Sequence, residues 1–113
     1  MARPALNEQR FLILTALAGG PLHGYGLVAE IGDITGGETR PRAGALYHGL
    51  DKMLDQGLVA IDSEETVDGR LRRTYALTGD GRDLLAREAA RRRRDADAAQ
   101  ERLARQPTRR LAI

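Results

Sequence analysis

The sequence predicts a mainly helical α+β chain, a small helical head carrying a β-ribbon and closed by one long C-terminal helix. Three observations carry this. Leu46, Leu50, Met53 and Leu54 recur at i, i+4, i+7 and i+8 between Pro41 and Leu58, one apolar stripe of a 3.6-period helix. Asp68-Gly69, a hairpin turn signal, follows soon after and separates two segments of strand character. From Thr78 to Pro107 the chain reads as a single helix between an N-cap and a stop.

The first helix is expected over Leu6 to Ala18. Phe11, Leu14, Leu17 and Ala18 form its stripe, and Leu12 and Ile13 widen it until little polar surface is left. A helix apolar most of the way round is buried on two sides. Here that suggests its own domain on one side and a partner subunit, reached through Leu12, on the other; the alternative is that the extra apolar residues sit under the ribbon. Gly19-Gly20-Pro21 stops this helix, and Leu22 to Ile34 forms the second, with Leu27, Val28, Ile31 and Ile34 as core. Gly24 and Gly26 are poor helix formers and make sense if another backbone comes close, from the third helix or from a ligand strand. His23 is expected to cap the helix. Thr35 to Thr39, with Gly36-Gly37, is a flexible link into Arg40-Pro41-Arg42.

The third helix ends where Gly57 supplies a left-handed cap. Its free face carries Arg42, Ala45, Tyr47, His48, Asp51, Lys52 and Asp55; the first two turns are small or basic, so a phosphate backbone can come close there. Leu58, Val59 and Ile61 begin a strand, and Asp62 to Asp68 are too acidic to bury. The return strand places Arg70, Arg72 and Thr74 on one side and Leu71, Arg73 and Tyr75 on the other. A helix followed at once by a two-stranded ribbon with arginines at its tip is the plan of a winged helix-turn-helix. The arginines suit phosphate or minor-groove contact, or pairing with Asp62, Glu64 or Glu65 across the hairpin.

The last helix is expected from Gly79 to about Gln106, with Asp80 favourable to its dipole. At 1.5 Å per residue it spans about 40 Å, too long to lie wholly against so small a head. Leu85, Ala89, Arg92, Ala96, Ala99 and Leu103 recur at coiled-coil spacing with one charged member, which suggests a dimerisation arm. Arg91-Arg92-Arg93-Arg94 encircles the helix and is read as solvated surface rather than a second nucleic-acid site. The division is therefore 1–78 for the head, 79–106 for the arm and 107–113 for a frayed tail.

Composition bounds the function. One domain is expected from 113 residues, and with four per cent aromatic residues its core is thin, which favours burial in an oligomer. The absence of cysteine excludes disulfides and thiolate metal sites. The two histidines, His23 and His48, lack metal-ligand spacing, and no nucleophile elbow or phosphate-cradling loop occurs, so no metal, cofactor or enzymatic activity is expected. The opening Met-Ala-Arg-Pro is no signal peptide and no apolar run is long enough to span a bilayer, so a cytoplasmic protein without a membrane partner is expected. The formal charge of +2 is unevenly spread. Residues 1–86 hold nine basic and twelve acidic side chains, a net of −3, and residues 87–113 hold nine and four, a net of +5. Nucleic-acid binding by the head has to come from local polarisation, because phosphate neutralisation dominates affinity.

At Gly20-Pro21-Leu22-His23-Gly24-Tyr25-Gly26-Leu27 the chain resembles the PadR family, and the resemblance continues in order. It runs through Gly44-Ala45-Leu46-Tyr47, Gly57-Leu58-Val59, Gly69-Arg70-Leu71-Arg72-Arg73-Thr74-Tyr75, and Leu77-Thr78 leading to Gly81-Arg82, over residues 6–86. The resemblance implies a short-tailed bacterial transcriptional regulator, homodimeric through its first and last helices, on double-stranded DNA. It implies DNA contact by Arg40, Arg42, Ala43, Gly44, Ala45, Tyr47, His48 and Lys52 on the reading helix and by Arg70, Arg72 and Arg73 on the wing. Dimerisation would fall to Leu12, Leu85, Ala89, Ala96, Ala99 and Leu103. It also implies a repressor acting on an inverted-repeat operator and a small aromatic effector. The tryptophan sandwich of some multidrug-responsive relatives is not available to a chain without tryptophan. Where the family often has Ser-Pro-Gly-Thr-Leu-Tyr-Pro-Ala, this chain has Arg42-Ala43-Gly44-Ala45-Leu46-Tyr47-His48-Gly49. Lys52 stands where Arg is common and Leu54 where Glu is common. These departures leave the fold alone and bear on the operator, since Arg42 and His48 can meet bases the usual residues do not. A winged helix that serves as a protein-interaction adaptor, without touching DNA, is the alternative from another functional class.

Overall fold

Helix α1 (Glu8–Ala18) is wrapped by its own chain, packing against a second helix, the sheet and the long last helix. The structure, a computed structural model, describes residues 6–106, so the tail expected at 107–113 lies outside the described residues. Asn7 caps α1 by accepting the Arg10 N–H at 2.8 Å, which starts the helix two residues later than the apolar pattern suggests and leaves Leu6 as a strut against the core. Leu12, Ile13, Leu14 and Leu17 are all buried. The partner expected to cover Leu12 is not needed for its burial, because the chain's own elements leave it 7% exposed.

Leu22–His23 form a two-residue strand, β1, in place of the expected first turn of the second helix. They pair antiparallel with Tyr75 and Thr74. Helix α2 (Gly24–Ile34) then starts at Gly24, with His23 as its N-cap: the imidazole Nδ1 accepts the Gly26 N–H at 3.2 Å. Helix α3 (Ala43–Asp55) buries Leu46, Leu50 and Met53 and half-buries Leu54, the expected stripe. It closes in a Schellman motif, with Leu58 N–H donating to Met53 O at 2.9 Å, Gly57 N–H to Leu54 O at 3.1 Å, and Gly57 at φ +74°.

Strands β2 (Val59–Val67) and β3 (Arg70–Leu77) form the ribbon, joined at Asp68 (φ +52°) and Gly69 (φ +76°). Two consecutive positive φ values match the right-handed twist of the flanking strands. The sheet has three strands rather than two, in the order β1-β3-β2. A register shift between Ile61 and Ser63 absorbs one residue of β2. Helix α4 (Gly79–Arg105) is capped by the Thr78 hydroxyl. Its first turns lie on α1 and β3, where Leu84 and Leu85 join the core, and the rest projects, giving extents of 61 × 31 × 23 Å.

The arginine run of α4 is not all solvated. Arg92 turns back to α1, with one nitrogen 2.8 Å from Glu8, another donating to Leu6 O at 3.2 Å, and its guanidinium carbon 3.9 Å from the centre of the Phe11 ring. Arg91 pairs at 3.4 Å with Glu88, whose residue is only 5% exposed. A carboxylate is retained at such a depth because it has a charged partner. Arg93 and Arg94 are exposed, as expected. Along the expected seam, Leu85 serves its own core, Arg92 holds α1, and Ala89, Ala96, Ala99 and Leu103 are exposed, Leu103 at 70%.

Candidate nucleic-acid interface

The cleft between the ribbon and the two helices beneath it gathers all three tyrosines of the protein and three of its arginines. Tyr25, Tyr47, Tyr75, His23, Gly24 and Asp51 line it from the body, and Arg70, Leu71, Arg72 and Arg73 from β3, around a volume of about 920 Å³. Strand alternation explains the floor. Tyr75, Arg73 and Leu71 share one face of β3, and Tyr75, at the body end, is 2% exposed. Burial raises the Tyr75 phenol above its ordinary value of 10.0, and the neighbouring Arg73 cation works against that rise.

Tyr47 joins the two walls. Its ring is 44% exposed, and its hydroxyl lies over Gly24. A Cβ at Gly24 would collide with that hydroxyl. The close approach expected at Gly24 therefore comes from a side chain of α3, not from a backbone. At Gly26 the near neighbour is Leu22, 3.2 Å from where a Cβ would stand.

The arginines of the ribbon differ in their freedom. Arg73 is opposite Glu64 in the register and pairs with it at 3.3 Å. Arg72 is opposite Glu65 and Arg70 opposite Val67, and among the described residues neither has a carboxylate within ion-pair distance. The edge strand β2 is acidic and the inner strand β3 basic.

On α3 the exposed face divides by length. Arg42 occupies the N-cap without a side-chain capping bond, its guanidinium has no ion-pair partner among the described residues, and Ala43, Gly44, Ala45 and His48 are exposed in the next two turns. Asp51 and Asp55 follow on the outer face, beside Lys52, and make the C-terminal half unfavourable to phosphate. Arg40 is exposed in the preceding link. The cleft thus brings together Tyr47, Arg70, Arg72 and Arg73; Arg40, Arg42, Ala43 to Ala45, His48 and Lys52 lie outside it on the helix and its approach. Sequence reading missed Tyr25, 86% exposed. Its signal was present: an aromatic residue off the stripe of Leu27, Val28 and Ile31 has no place in the core.

A three-helix head whose third helix runs into a β-ribbon with a basic inner strand is a winged helix-turn-helix. The profile of the transcriptional regulator PadR-like family matches residues 13–87. The chain belongs to the PadR-like family of transcriptional regulators. It is 42% identical over 83 residues to an uncharacterized protein of a Streptomyces fradiae transposon, covering 74% of this chain and 22% of that one. The chain spans less than a third of the length of the curated relatives it matches. Among solved structures, a PadR family transcription regulator from Clostridium difficile superposes with a TM-score of 0.72 at 21% identity, over 86% of this chain and 99% of that one. PadR of Bacillus subtilis, solved in complex with operator DNA, gives a TM-score of 0.63 at 22% identity, over 71% and 46%. Among the described residues no helix is long and apolar enough to cross a membrane.

Proposed function

We propose that this chain is a sequence-specific DNA-binding regulator, a cytoplasmic homodimeric repressor without enzymatic activity whose affinity is tuned by a small aromatic effector. Helix α3 enters the major groove and the ribbon touches the flanking backbone or minor groove. The observation that carries the reading is the convergence of Tyr47 with Arg70, Arg72 and Arg73 on one cleft beside the small, uncharged start of α3. A cleft with three arginines against the two aspartates Asp51 and Asp68, and with the exposed Tyr25 beside them, suits a phosphate strand, while Gly44 and Ala45 let base edges come close. Family membership and the fold shared with an operator-bound regulator support it. The exposed Ala96, Ala99 and Leu103 on the projecting arm support the dimer, since a face exposed among the described residues and built largely of small side chains suits close packing with a second copy.

The adaptor reading draws on a different observation, the acidic β2 edge at Asp62, Glu64 and Glu65. One experiment separates the two. Sequences selected from random DNA by the purified protein are titrated across salt concentration. A DNA-binding regulator yields an inverted repeat, and its affinity falls with a log–log slope near −0.9 per phosphate neutralised. Failure to enrich any sequence, with weak binding indifferent to salt, would establish the adaptor instead.

A further inference from the structure

The end of α3 and the start of α4 share one hydroxyl. Thr78 Oγ1 donates to the Gly57 carbonyl, just past the end of α3, at 2.6 Å, and accepts the Gly81 N–H in the first turn of α4 at 3.0 Å. The Thr78 N–H donates to Leu58 O at 3.2 Å. Gly81 stands so close to that same Leu58 carbonyl that a Cβ there would overlap it. One side chain therefore caps α4 and holds the Gly57 carbonyl of the turn that closes α3, across a sequence separation of 21 residues. A serine or aspartate serves as well for an ordinary helix start; only a group that donates and accepts at once links the two ends.

We propose that Thr78 is a positioning residue, a joint that fixes the angle between α3 and α4 and so sets the separation of the two α3 helices in a dimer. The inference rests on the proposed homodimeric DNA-binding function. The element that moves is α3: over its 13 residues, about 20 Å, a change of about 10° at the joint moves its far end about 3 Å, close to the rise of a base pair. Two copies related by an isologous contact double the effect on the spacing of the reading helices. Arg92 holds α4 to α1 separately, through Glu8 and Leu6, so loosening the joint frees the end of α3 without detaching the arm.

Three variants isolate the joint. Thr78→Ser keeps both bonds, Thr78→Val removes both, and Thr78→Asp keeps the α4 cap while removing the donor to Gly57. The chain has no native cysteine, so spin labels at Asp55→Cys on α3 and Asp97→Cys on α4 report their separation directly. Doubly labelled chains are diluted into unlabelled protein and the distance distribution is read by pulsed electron resonance. Wild type and Thr78→Ser are expected to give one narrow distance, and Thr78→Val and Thr78→Asp a broadened or shifted one. In parallel, operators with half-sites moved by single base pairs are titrated. Wild type and Thr78→Ser favour one spacing, and the two donor-less variants lose roughly tenfold of that preference while their salt slope is unchanged. A distance distribution unaltered in Thr78→Val and Thr78→Asp overturns the joint. A broadened distribution with an unaltered spacing profile overturns its role in setting the spacing. Wild-type protein that binds no DNA overturns the proposed function, and the joint then stands or falls by the distance distribution.

Discussion

Arg92, near the middle of α4, places a guanidinium nitrogen 2.8 Å from the carboxylate of Glu8 in the first turn of α1. The same side chain lies over the Phe11 ring at 3.9 Å and donates to the Leu6 carbonyl. The ion pair is half open to water, with side-chain exposures of 35% and 70%, so screening limits its share. Adding the ring contact, Arg92→Ala should destabilise the fold by about 1–2 kcal/mol. Arg94→Ala, two residues on and exposed, should stay within about 0.5 kcal/mol of wild type. Chemical denaturation of both variants checks the contrast. Equal stability would mean that Arg92 is as solvated as its neighbours.

Gly81 and Gly79 provide a second contrast in the same turn. A methyl group at Gly81 meets the Leu58 carbonyl, which is backbone and cannot swing aside, whereas one at Gly79 meets nothing within 4 Å. Gly81→Ala should cost about 3 kcal/mol through overpacking. Gly79→Ala should be neutral or stabilising by up to ~1 kcal/mol through the unfolded chain. Thermal melts that fail to separate the two would put the α4 start at a greater distance from Leu58.

Tyr75 links stability to alkaline pH. Burial raises its phenol above 10.0, with Arg73 opposing. The folded state favours the protonated form more than the unfolded state does. The contribution is therefore fully present below pH 10.0 and is lost as pH rises through the folded value. Wild type should lose stability above pH 10.0 more steeply than Tyr75→Phe, and Arg73→Ala, by raising the folded value further, should extend the loss to higher pH and deepen it without moving its onset. Parallel slopes in wild type and Tyr75→Phe would mean that the hydroxyl is open to water.

What was legible in the sequence was local. The Leu46, Leu50, Met53 stripe, the Gly57 cap, the Asp68-Gly69 turn and the Thr78 cap each act within a few residues, and each stands as read. What was not legible depends on distant partners. Leu22 and His23 become a strand only because Tyr75 and Thr74 offer a free edge, which overrides the local preference for helix. Arg92 sits at an inward seam position, and spacing alone cannot reveal that its partner is a glutamate 84 residues away. The glycine at position 24 signalled a close approach, but a glycine does not say whether backbone or a tyrosine will fill the space. At the candidate site the sequence offered the exposed residues of β3 and α3 one by one but not the convergence of the tyrosines, because three different elements contribute them.

The ribbon's charges should separate by their pairing. Arg70 and Arg72 are unpaired among the described residues, while Arg73 is held by Glu64 at 3.3 Å. Arg70→Ala and Arg72→Ala should each weaken binding about equally on cognate and random DNA and flatten the salt slope by about one unit. Glu64→Gln should do the reverse, since it releases Arg73 and removes a negative charge facing the phosphates. Fluorescence anisotropy across salt concentrations measures all three. A Glu64→Gln variant that binds no tighter than wild type would mean that Arg73 faces away from the DNA.

Sequence preference should reside in Arg42 and His48. Arg42 stands at the N-cap of α3 without an ion-pair partner among the described residues, and His48 is exposed six residues later. Six residues advance about 9 Å along a helix axis, more than two base-pair steps, so the two side chains reach different base pairs. The intervening Gly44 and Ala45 present little bulk and no side-chain hydrogen-bonding group, which leaves the reading to the ends of this segment. In a two-fold dimer each contact recurs in both half-sites, whose centres fall about 34 Å apart, one turn of B-DNA. Arg42→Ala should then relax preference at one pair of symmetric positions and His48→Ala at another. The loss should be ~1–3 kcal/mol for a bidentate contact and less for a single hydrogen bond. Repeating the random-DNA selection with each variant tests this. A consensus lacking dyad symmetry would defeat the dimer geometry, whereas a consensus unaltered in both variants would mean that another element reads the bases.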